Sequence, residues 1–172
     1  MRREVRRRPA HIPMLIVGVL LAVVGNGCSI GLFAASKQDV QLFPAASGRI
    51  TRDGMPVPGI AVIREATYDD ADVQKTLTDS NGRFSFPAWT VRSRTPGDPL
   101  VEDRLRQVIV VEQEESKYVL WYYVTGRLNG EQVVAEKLKS LECDLDDQEL
   151  SYHFPKAENP SFTHNIGSIC RW

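Results

Sequence analysis

Hydrophobic and polar positions alternate with a period of two in several short segments, and this alternation predicts β-strands rather than helices. β-Branched and aromatic residues are concentrated in the same segments, which favours strands further. Gly, Pro, Asn-Gly and Asp-Gly signals separate the segments and indicate turns. The predicted strands are residues 49–51, 60–67, 73–78, 83–86, 106–113, 117–126 and 141–145. Many short strands with turns between them predict an all-β sandwich.

The same alternation predicts which side chains share a face. Ile60 and Val62 lie on one face of their strand, with Arg64 the next residue in that row. Trp121 and Tyr123 share a face, and the intervening Tyr122 points to the opposite face. Core packing accounts for one of these aromatic faces. The other is a candidate surface for a partner.

Weaker patterns cover the remaining segments of the exported part. Residues 133–138 fit either a strand or a helix, and residues 88–99 have the composition of a loop. Residues 146–167 are polar and irregular, whereas residues 141–145 place Leu141, Cys143 and Leu145 on one face. The last five residues, SICRW, are expected to form a short strand or strap.

The N-terminus has a different pattern. Five arginines lie within residues 1–9, and residues 12–35 follow without a charged side chain. About 20 apolar residues span a bilayer as a helix, and basic residues before the span stay in the cytoplasm. This predicts a basic cytoplasmic N-terminus (1–11), a transmembrane signal anchor or signal segment (12–35), a linker (36–46) and an exported domain (47–172).

Three outcomes are open for the apolar segment. It is retained as an anchor, cut as a signal peptide near FAAS, or cut as a lipoprotein signal before Cys28. Gly27 suits a lipoprotein signal, whereas Gly25 and the apolar residues after Cys28 do not. The length favours the anchor, with lipidation of Cys28 as the alternative. All three outcomes place the folded domain outside the cytoplasm.

Charge and cysteine content support this location. The net charge of −1 gives no electrostatic reason to expect a nucleic-acid partner. Beyond Cys28, the chain has only Cys143 and Cys170. An even pair in an oxidising compartment predicts a disulfide between them.

The segment TDSNG, residues 78–82, is predicted to be a structural turn. Asp79 accepts backbone hydrogen bonds, Asn81 belongs to the turn, and Gly82 adopts positive φ without steric cost. A calcium loop needs a further acidic ligand and a glutamate six residues after the glycine, where Ala88 stands. The pattern therefore does not favour calcium.

The region around this turn resembles the carboxypeptidase regulatory-like domain, a transthyretin-like β-sandwich. The resemblance covers SGRITRDGMPVPGIAVI and TLTDSNGRFSFP, about 40 residues. The matching positions are Gly48, Gly54, Pro56, Val57, Gly59, Val62, Thr78, Asp79, Gly82, Phe84 and Phe86. It implies a transthyretin-like or Ig-like sandwich that acts as a folding or adhesion accessory. The segments VLWYYVTG, LECDL and GSICRW are similar to an uncharacterised group of bacterial exported or membrane-tethered proteins, which implies a domain in the periplasm at the inner membrane.

Catalytic motifs are absent from the sequence: there is no G-x-S-x-G, P-loop or H-E-x-x-H. Cys143, Cys170, His153 and His164 could form a zinc site, but their wide spacings favour the disulfide. We therefore predict no catalytic, cofactor or metal residues. The partner surface is predicted to combine Tyr122 with three residues of the irregular segment, Tyr152, His153 and Phe154.

Three functions are consistent with these features. The first is a non-enzymatic, membrane-tethered periplasmic module that binds a protein or envelope partner. The second is an immunity protein that neutralises a secreted toxin in the periplasm. The third is a small hydrolase that uses His153 or His164, which the absence of a nucleophile at a motif spacing disfavours.

Overall fold

A computed structural model describes residues 36–113 and 115–172. These residues form strands with one short helix. The predicted segments 1–11 and 12–35, including Cys28, lie outside the described residues. The strands are β1 (Gln38–Phe43), β2 (Ala46–Arg52), β3 (Met55–Pro56), β4 (Ala61–Thr67), β5 (Ala71–Leu77), β6 (Arg83–Phe86), β7 (Trp89–Ser93), β8 (Leu105–Gln113), β9 (Ser116–Thr125), β10 (Leu141–Asp144), β11 (Leu150–Pro155) and β12 (Thr163–Ser168), and α1 spans Gln132–Leu138.

The described strands pair in three sheets. The largest has six strands in the order β11-β12-β9-β8-β4-β5. In the second, β2 pairs with β10 in parallel on one side and with β3 and β6 on the other. The third is the two-stranded β1-β7 ribbon. The predicted β-rich, sandwich-like architecture is confirmed.

One core joins the sheets. Side chains from the inner face of the six-stranded sheet, including Ile109 and Trp121, are buried with Ile50 and Phe84 of the second sheet. The ribbon contributes Val40, Leu42 and Phe43. A bulge between Ile109 and Val110 lets consecutive Leu120 and Trp121 both be buried.

The Asp53-Gly54 hairpin is confirmed, with φ of 50° and 72° at the two residues. This is the backbone that a tight two-residue hairpin requires. The predicted faces of β4 are confirmed as well, because Val62 and Arg64 are buried. Residues 133–138, which fitted either element, form α1, and its Val134 and Leu138 pack into the core.

Three segments differ from the sequence prediction. Residues 38–43, in the segment expected to be a linker, form β1, and residues 89–93, expected to be a loop, form its partner β7. Residues 146–167, expected to be irregular, contain the β11-β12 hairpin. β1, β7 and β11 each have two or three apolar residues, and β12 has one, Ile166. The hydrophobic pattern of each strand is therefore weak until a neighbouring strand covers one face.

Within the described ranges, no helix has the length and apolar character needed to cross a membrane.

Candidate functional site

The turn after β5 is held by the Asp79 side chain. Asp79 Oδ1 accepts hydrogen bonds from the backbone N–H groups of Asn81 and Arg83, both at 2.8 Å. Gly82 has φ +73°, and its carbonyl accepts from the N–H of Ile50 at 2.8 Å. The turn thus fixes β6 against β2. Among residues 36–113 and 115–172, no group of three His, Cys, Asp or Glu side chains could hold a metal ion.

The C-terminus is fastened to β10. Cys143 and Cys170 form a disulfide, in agreement with the pairing expected from the sequence. Arg171 N–H donates to the carbonyl of Glu142 at 2.7 Å, and the reverse bond is 3.2 Å. The Trp172 indole N–H donates to the carbonyl of Lys137 at 2.7 Å. The final residues therefore form the strap that the sequence predicted.

The four residues predicted as a partner surface lie on two different faces. Tyr122 pairs with Gly167 of β12, and His153 pairs with Asn165, so both point to the outer side of the six-stranded sheet. Tyr152 and Phe154 point to the opposite side. The reason is the regular alternation of β11, which the irregular-loop prediction did not include.

Tyr152 and Phe154 pack against the end of the strap. Their rings lie 4.8 and 5.3 Å from the ring of Trp172, measured between centroids. Lys137 Nζ lies 4.4 Å from the Phe154 centroid. Tyr152 also donates its hydroxyl to the carbonyl of Cys170 at 3.0 Å. Both aromatic residues therefore stabilise the fold at this point.

On the outer face of the six-stranded sheet, one row of paired side chains crosses four strands and is apolar except at Glu65. Tyr122 of β9 lies opposite Val108 of β8, Val108 lies opposite Glu65 of β4, and Glu65 lies opposite Val73 of β5. Val73 and Tyr122, at the ends of this row, are 60% and 42% exposed. We call this surface, with Leu77 at the far end of β5, the outer face.

A buried polar cluster lies on the other side of the same sheet. The Tyr123 hydroxyl donates to Glu131 Oε2 at 2.7 Å and lies 2.8 Å from His164 Nδ1. Thr125 Oγ1 donates to the same Glu131 oxygen at 3.1 Å. The cluster joins β9, the N-terminal end of α1 and β12. We call Tyr123, Glu131 and His164 the polar triad.

Burial changes the pKa values of two members of the polar triad, Tyr123 and His164. Burial, together with the hydrogen bond to Glu131, raises the pKa of Tyr123 well above its ordinary value. Burial lowers the pKa of His164, although the Glu131 carboxylate opposes that change. At neutral pH we therefore take Tyr123 and His164 as uncharged.

Two members of the triad border a pocket with a volume of about 380 Å³. Glu131 and His164 line it, together with Arg127 and Glu158 at the rim. Arg127 forms an ion pair with Glu158 at 2.7 Å and lies 3.8 Å from Glu131 Oε1. His164 was considered from the sequence only as a zinc ligand or a hydrolase residue. Neither Glu131 nor Tyr123 was predicted from the sequence as a site residue, since no short spacing links them to His164.

A second buried polar residue, Arg64, stabilises the core. Its guanidinium carbon lies 5.1, 4.6 and 5.2 Å from the ring centroids of Phe43, Phe86 and Trp89. Arg64 donates to the carbonyl of Pro87 at 2.9 Å and to Gln74. It joins β4 to the β1-β7 ribbon and is not accessible to a ligand.

Comparison with known proteins gives one result. A family model described as "Domain of unknown function (DUF6795)" matches residues 46–148, from the start of β2 to the loop after β10. No curated protein and no solved structure matches the chain. Because the match covers more than half of the 172 residues, the chain belongs to the DUF6795 family.

Proposed function

We propose that this protein is a membrane-tethered, exported binding module that holds a protein partner against the outer face and performs no catalysis. The observation that carries the proposal is the exposure of Tyr122 and Val73 at the two ends of the row that crosses the outer face. Exposed aromatic and aliphatic side chains on one surface are typical of contact with a partner.

The edge of the sheet favours a polypeptide as the partner. In the described residues β5 pairs with β4 alone, so its second edge is open to an added strand. Val73 and Leu77 project from this edge strand and are 60% and 59% exposed. An extended segment of a partner that pairs with β5 would gain main-chain hydrogen bonds and apolar contacts together.

Location outside the cytoplasm is the second part of the proposal. Its supports are the arginine run before residues 12–35 and the disulfide between Cys143 and Cys170. The resemblance of residues 47–87 to a carboxypeptidase regulatory-like domain, which implies an accessory role, also favours binding over catalysis. We propose a bacterial inner membrane, with the domain in the periplasm.

The partner surface is tested by site-specific photo-crosslinking in the full-length, membrane-bound protein. A photoreactive residue is placed at Tyr122, at Val73 and, as a control, at the exposed Leu100 in the loop after β7. We expect the same discrete adduct from Tyr122 and Val73 and none from Leu100. The adduct protein is then purified, and its affinity for variants of the full chain is measured.

The affinity measurement decides the proposal. Tyr122→Ser and Val73→Lys should each weaken binding by about tenfold or more, because both remove apolar contact at a buried interface. Leu100→Ser should leave the affinity unchanged. Equal weakening by Leu100→Ser, or no effect of either outer-face substitution, would contradict the proposed surface.

The location is tested separately with a reporter enzyme that is active only outside the cytoplasm, fused after Trp172. We expect activity from this fusion. Activity from a cytoplasm-specific reporter at the same position would contradict the tether and the periplasmic location, while leaving the partner surface to its own test.

A further inference from the structure

We propose that the pocket beside the polar triad binds an organic cation that carries N–H donors, either a primary ammonium or a guanidinium group. Glu131 is its principal ligand, and Arg127 occupies the mouth of the pocket in competition with the bound cation. His164 and Tyr123 lie on the opposite side of the sheet from Tyr122. The proposal therefore does not depend on partner binding at the outer face.

The first argument is an unpartnered carboxylate oxygen. Glu131 Oε1 is buried and accepts no hydrogen bond, whereas Oε2 accepts from both Tyr123 and Thr125. The side chain of Glu131 is only 5% exposed, and it lines the pocket. A buried anionic oxygen without a donor is costly, and a charged donor is the partner that offsets this cost best.

The two nitrogens nearest to this oxygen do not satisfy it. His164 Nδ1 lies 3.5 Å from Glu131 Oε1, but it is directed to the Tyr123 hydroxyl at 2.8 Å. Arg127 Nε lies 3.8 Å from the same oxygen, beyond hydrogen-bonding distance, while its Nη2 is bound to Glu158. Oε1 therefore lacks a donor, and an N–H group that enters from the pocket would reach it by displacing Arg127.

The polarity of the pocket selects a cation with several donors. Because the Tyr123 hydroxyl donates to Glu131, it accepts from Nδ1–H of His164. A neutral imidazole protonated at Nδ1 has an acceptor at Nε2. Glu131, Glu158 and His164 all line the pocket and each carries an acceptor, which suits the three donors of an ammonium group or the N–H fork of a guanidinium.

The position of Arg127 indicates the class of ligand. Its guanidinium lies between the carboxylates of Glu131 and Glu158, so the site already attracts a group of this chemistry from its own chain. An anion would meet the buried Glu131 carboxylate at the base of the pocket and is disfavoured. The volume of about 380 Å³ lies within the range of about 300–1,000 Å³ typical of ligand pockets.

Two sources could supply this cation: a lysine or arginine side chain of a protein, or a free small amine. The test uses the full-length protein in detergent micelles, with ¹⁵N-labelled histidine. His164 reports on the pocket, and His153, which is bound to Asn165 on the outer side of the sheet, serves as an internal control. The probes are methylguanidinium, N-acetyl-lysine amide and spermidine.

Tetramethylammonium is the matched control ligand, because it has the positive charge without any N–H donor. We expect saturable shifts of the His164 ring nitrogens with the N–H donors, and none at His153. Tighter binding of the lysine amide, which is acetylated at its α-nitrogen and keeps its side-chain ammonium, than of spermidine assigns the site to a protein side chain. The reverse order assigns it to a free amine. Equal shifts with tetramethylammonium, or no saturable shift with any probe, would overturn the proposal.

Substitutions separate ligand binding from a structural role. Arg127→Ala removes the competing guanidinium and should tighten binding by about threefold, the size expected for loss of an exposed ion pair. The exposed Arg104→Ala, in the loop before β8, is its control and should change nothing. Weaker binding by Arg127→Ala would contradict the competition.

The carboxylate is tested with its own matched pair. Glu131→Gln should weaken binding by about tenfold or more, since a charged hydrogen bond is lost. Glu136→Gln, on the exposed side of α1, should not. If Glu131→Gln does not fold, Glu158→Gln at the rim replaces it, and full affinity in that variant would count against the site.

Discussion

Three glycines allow the cost of a left-handed backbone and the cost of a crowded Cβ position to be measured separately. Gly59 has φ +70°, and a Cβ atom there would meet nothing within 4 Å. Gly48 lacks a positive φ, but its Cβ would lie 2.3 Å from the carbonyl oxygen of Leu141. Gly82 combines both demands: φ is +73°, and its Cβ would lie 2.3 Å from the carbonyl oxygen of Ile50.

Alanine substitutions should therefore differ in cost, with Gly82→Ala the most destabilising of the three. Gly59→Ala should lower the free energy of unfolding by about 1–2 kcal/mol, the cost of the left-handed conformation for a residue with a Cβ. Gly48→Ala should lower it by about 1–3 kcal/mol, because a backbone carbonyl must move away. Gly82→Ala carries both terms, so we expect about 2–5 kcal/mol.

Urea unfolding of the full-length variants measures the three values. Tryptophan fluorescence is a suitable probe, because Trp89, Trp121 and Trp172 all lie in the described domain. The slopes against urea should be unchanged, so that shifts in midpoint report stability alone. A Gly59→Ala variant as destabilised as Gly82→Ala would refute the additive reasoning, and so would a Gly82→Ala variant as stable as the parent protein.

Two further predictions concern the strap and the β2-β3 turn. Replacing both Cys143 and Cys170 by alanine should lower the free energy of unfolding by about 3.5 kcal/mol, because the unfolded chain regains the entropy of a loop with a sequence separation of 27. Urea unfolding of the non-reduced protein and of the double variant measures this difference, and equal stabilities would contradict the prediction. Burial acts to raise the pKa of Asp144, but hydrogen bonds from Gly54, Asp146, Thr51 and Asp53 outweigh it and lower the pKa below 3.8. The free energy of unfolding of Asp144→Asn should therefore be lower than that of the parent protein at neutral pH. This difference in free energy should narrow as pH falls below 3.8 through the pKa of the folded state. A difference that does not change with pH would contradict a role for the Asp144 charge.

The strands that could be predicted from the sequence are those whose own composition decides the structure. β8 and β9 are rich in β-branched and aromatic residues, and both lie in the segments where the sequence predicted strands. β1 and β7 depend on each other, because each has few apolar residues and gains its hydrogen bonds from the other. The hairpin β11-β12 was missed for a similar reason: Tyr152 and Phe154 alternate in β11, but its partner β12 has Ile166 as its one apolar side chain.

The candidate sites could be predicted from the sequence less well than the strands. Tyr122 was correctly assigned to the opposite face from Trp121 and Tyr123, because period-two alternation within one strand is a local property. Whether Tyr152 shares that face depends on the pairing of β11 with β12 and β12 with β9, which is not local. The polar triad could be predicted from the sequence even less well, because Glu131 and His164 come from different elements and meet only in the folded chain.

The end of the family match at residue 148 divides both the polar triad with its pocket and the disulfide between Cys143 and Cys170. Tyr123, Glu131 and Cys143 lie within residues 46–148, whereas His164, Glu158 and Cys170 follow them. The later segment is nevertheless part of the core. Ser168 Oγ donates to the carbonyl of Leu120 at 2.6 Å, and Ile166 and Ile169 are buried with the rest of the core.

A domain reduced to the matched residues would therefore lose more than a terminal extension. Without β12, the edge of β9 would lack its neighbour, and Trp121 would lose its contact with Trp172, whose ring centroid lies 6.3 Å away. Glu131 would no longer be covered by His164, and its carboxylate would gain access to water. The selectivity for N–H cations proposed above depends on that cover, so it belongs to the whole described domain rather than to residues 46–148 alone.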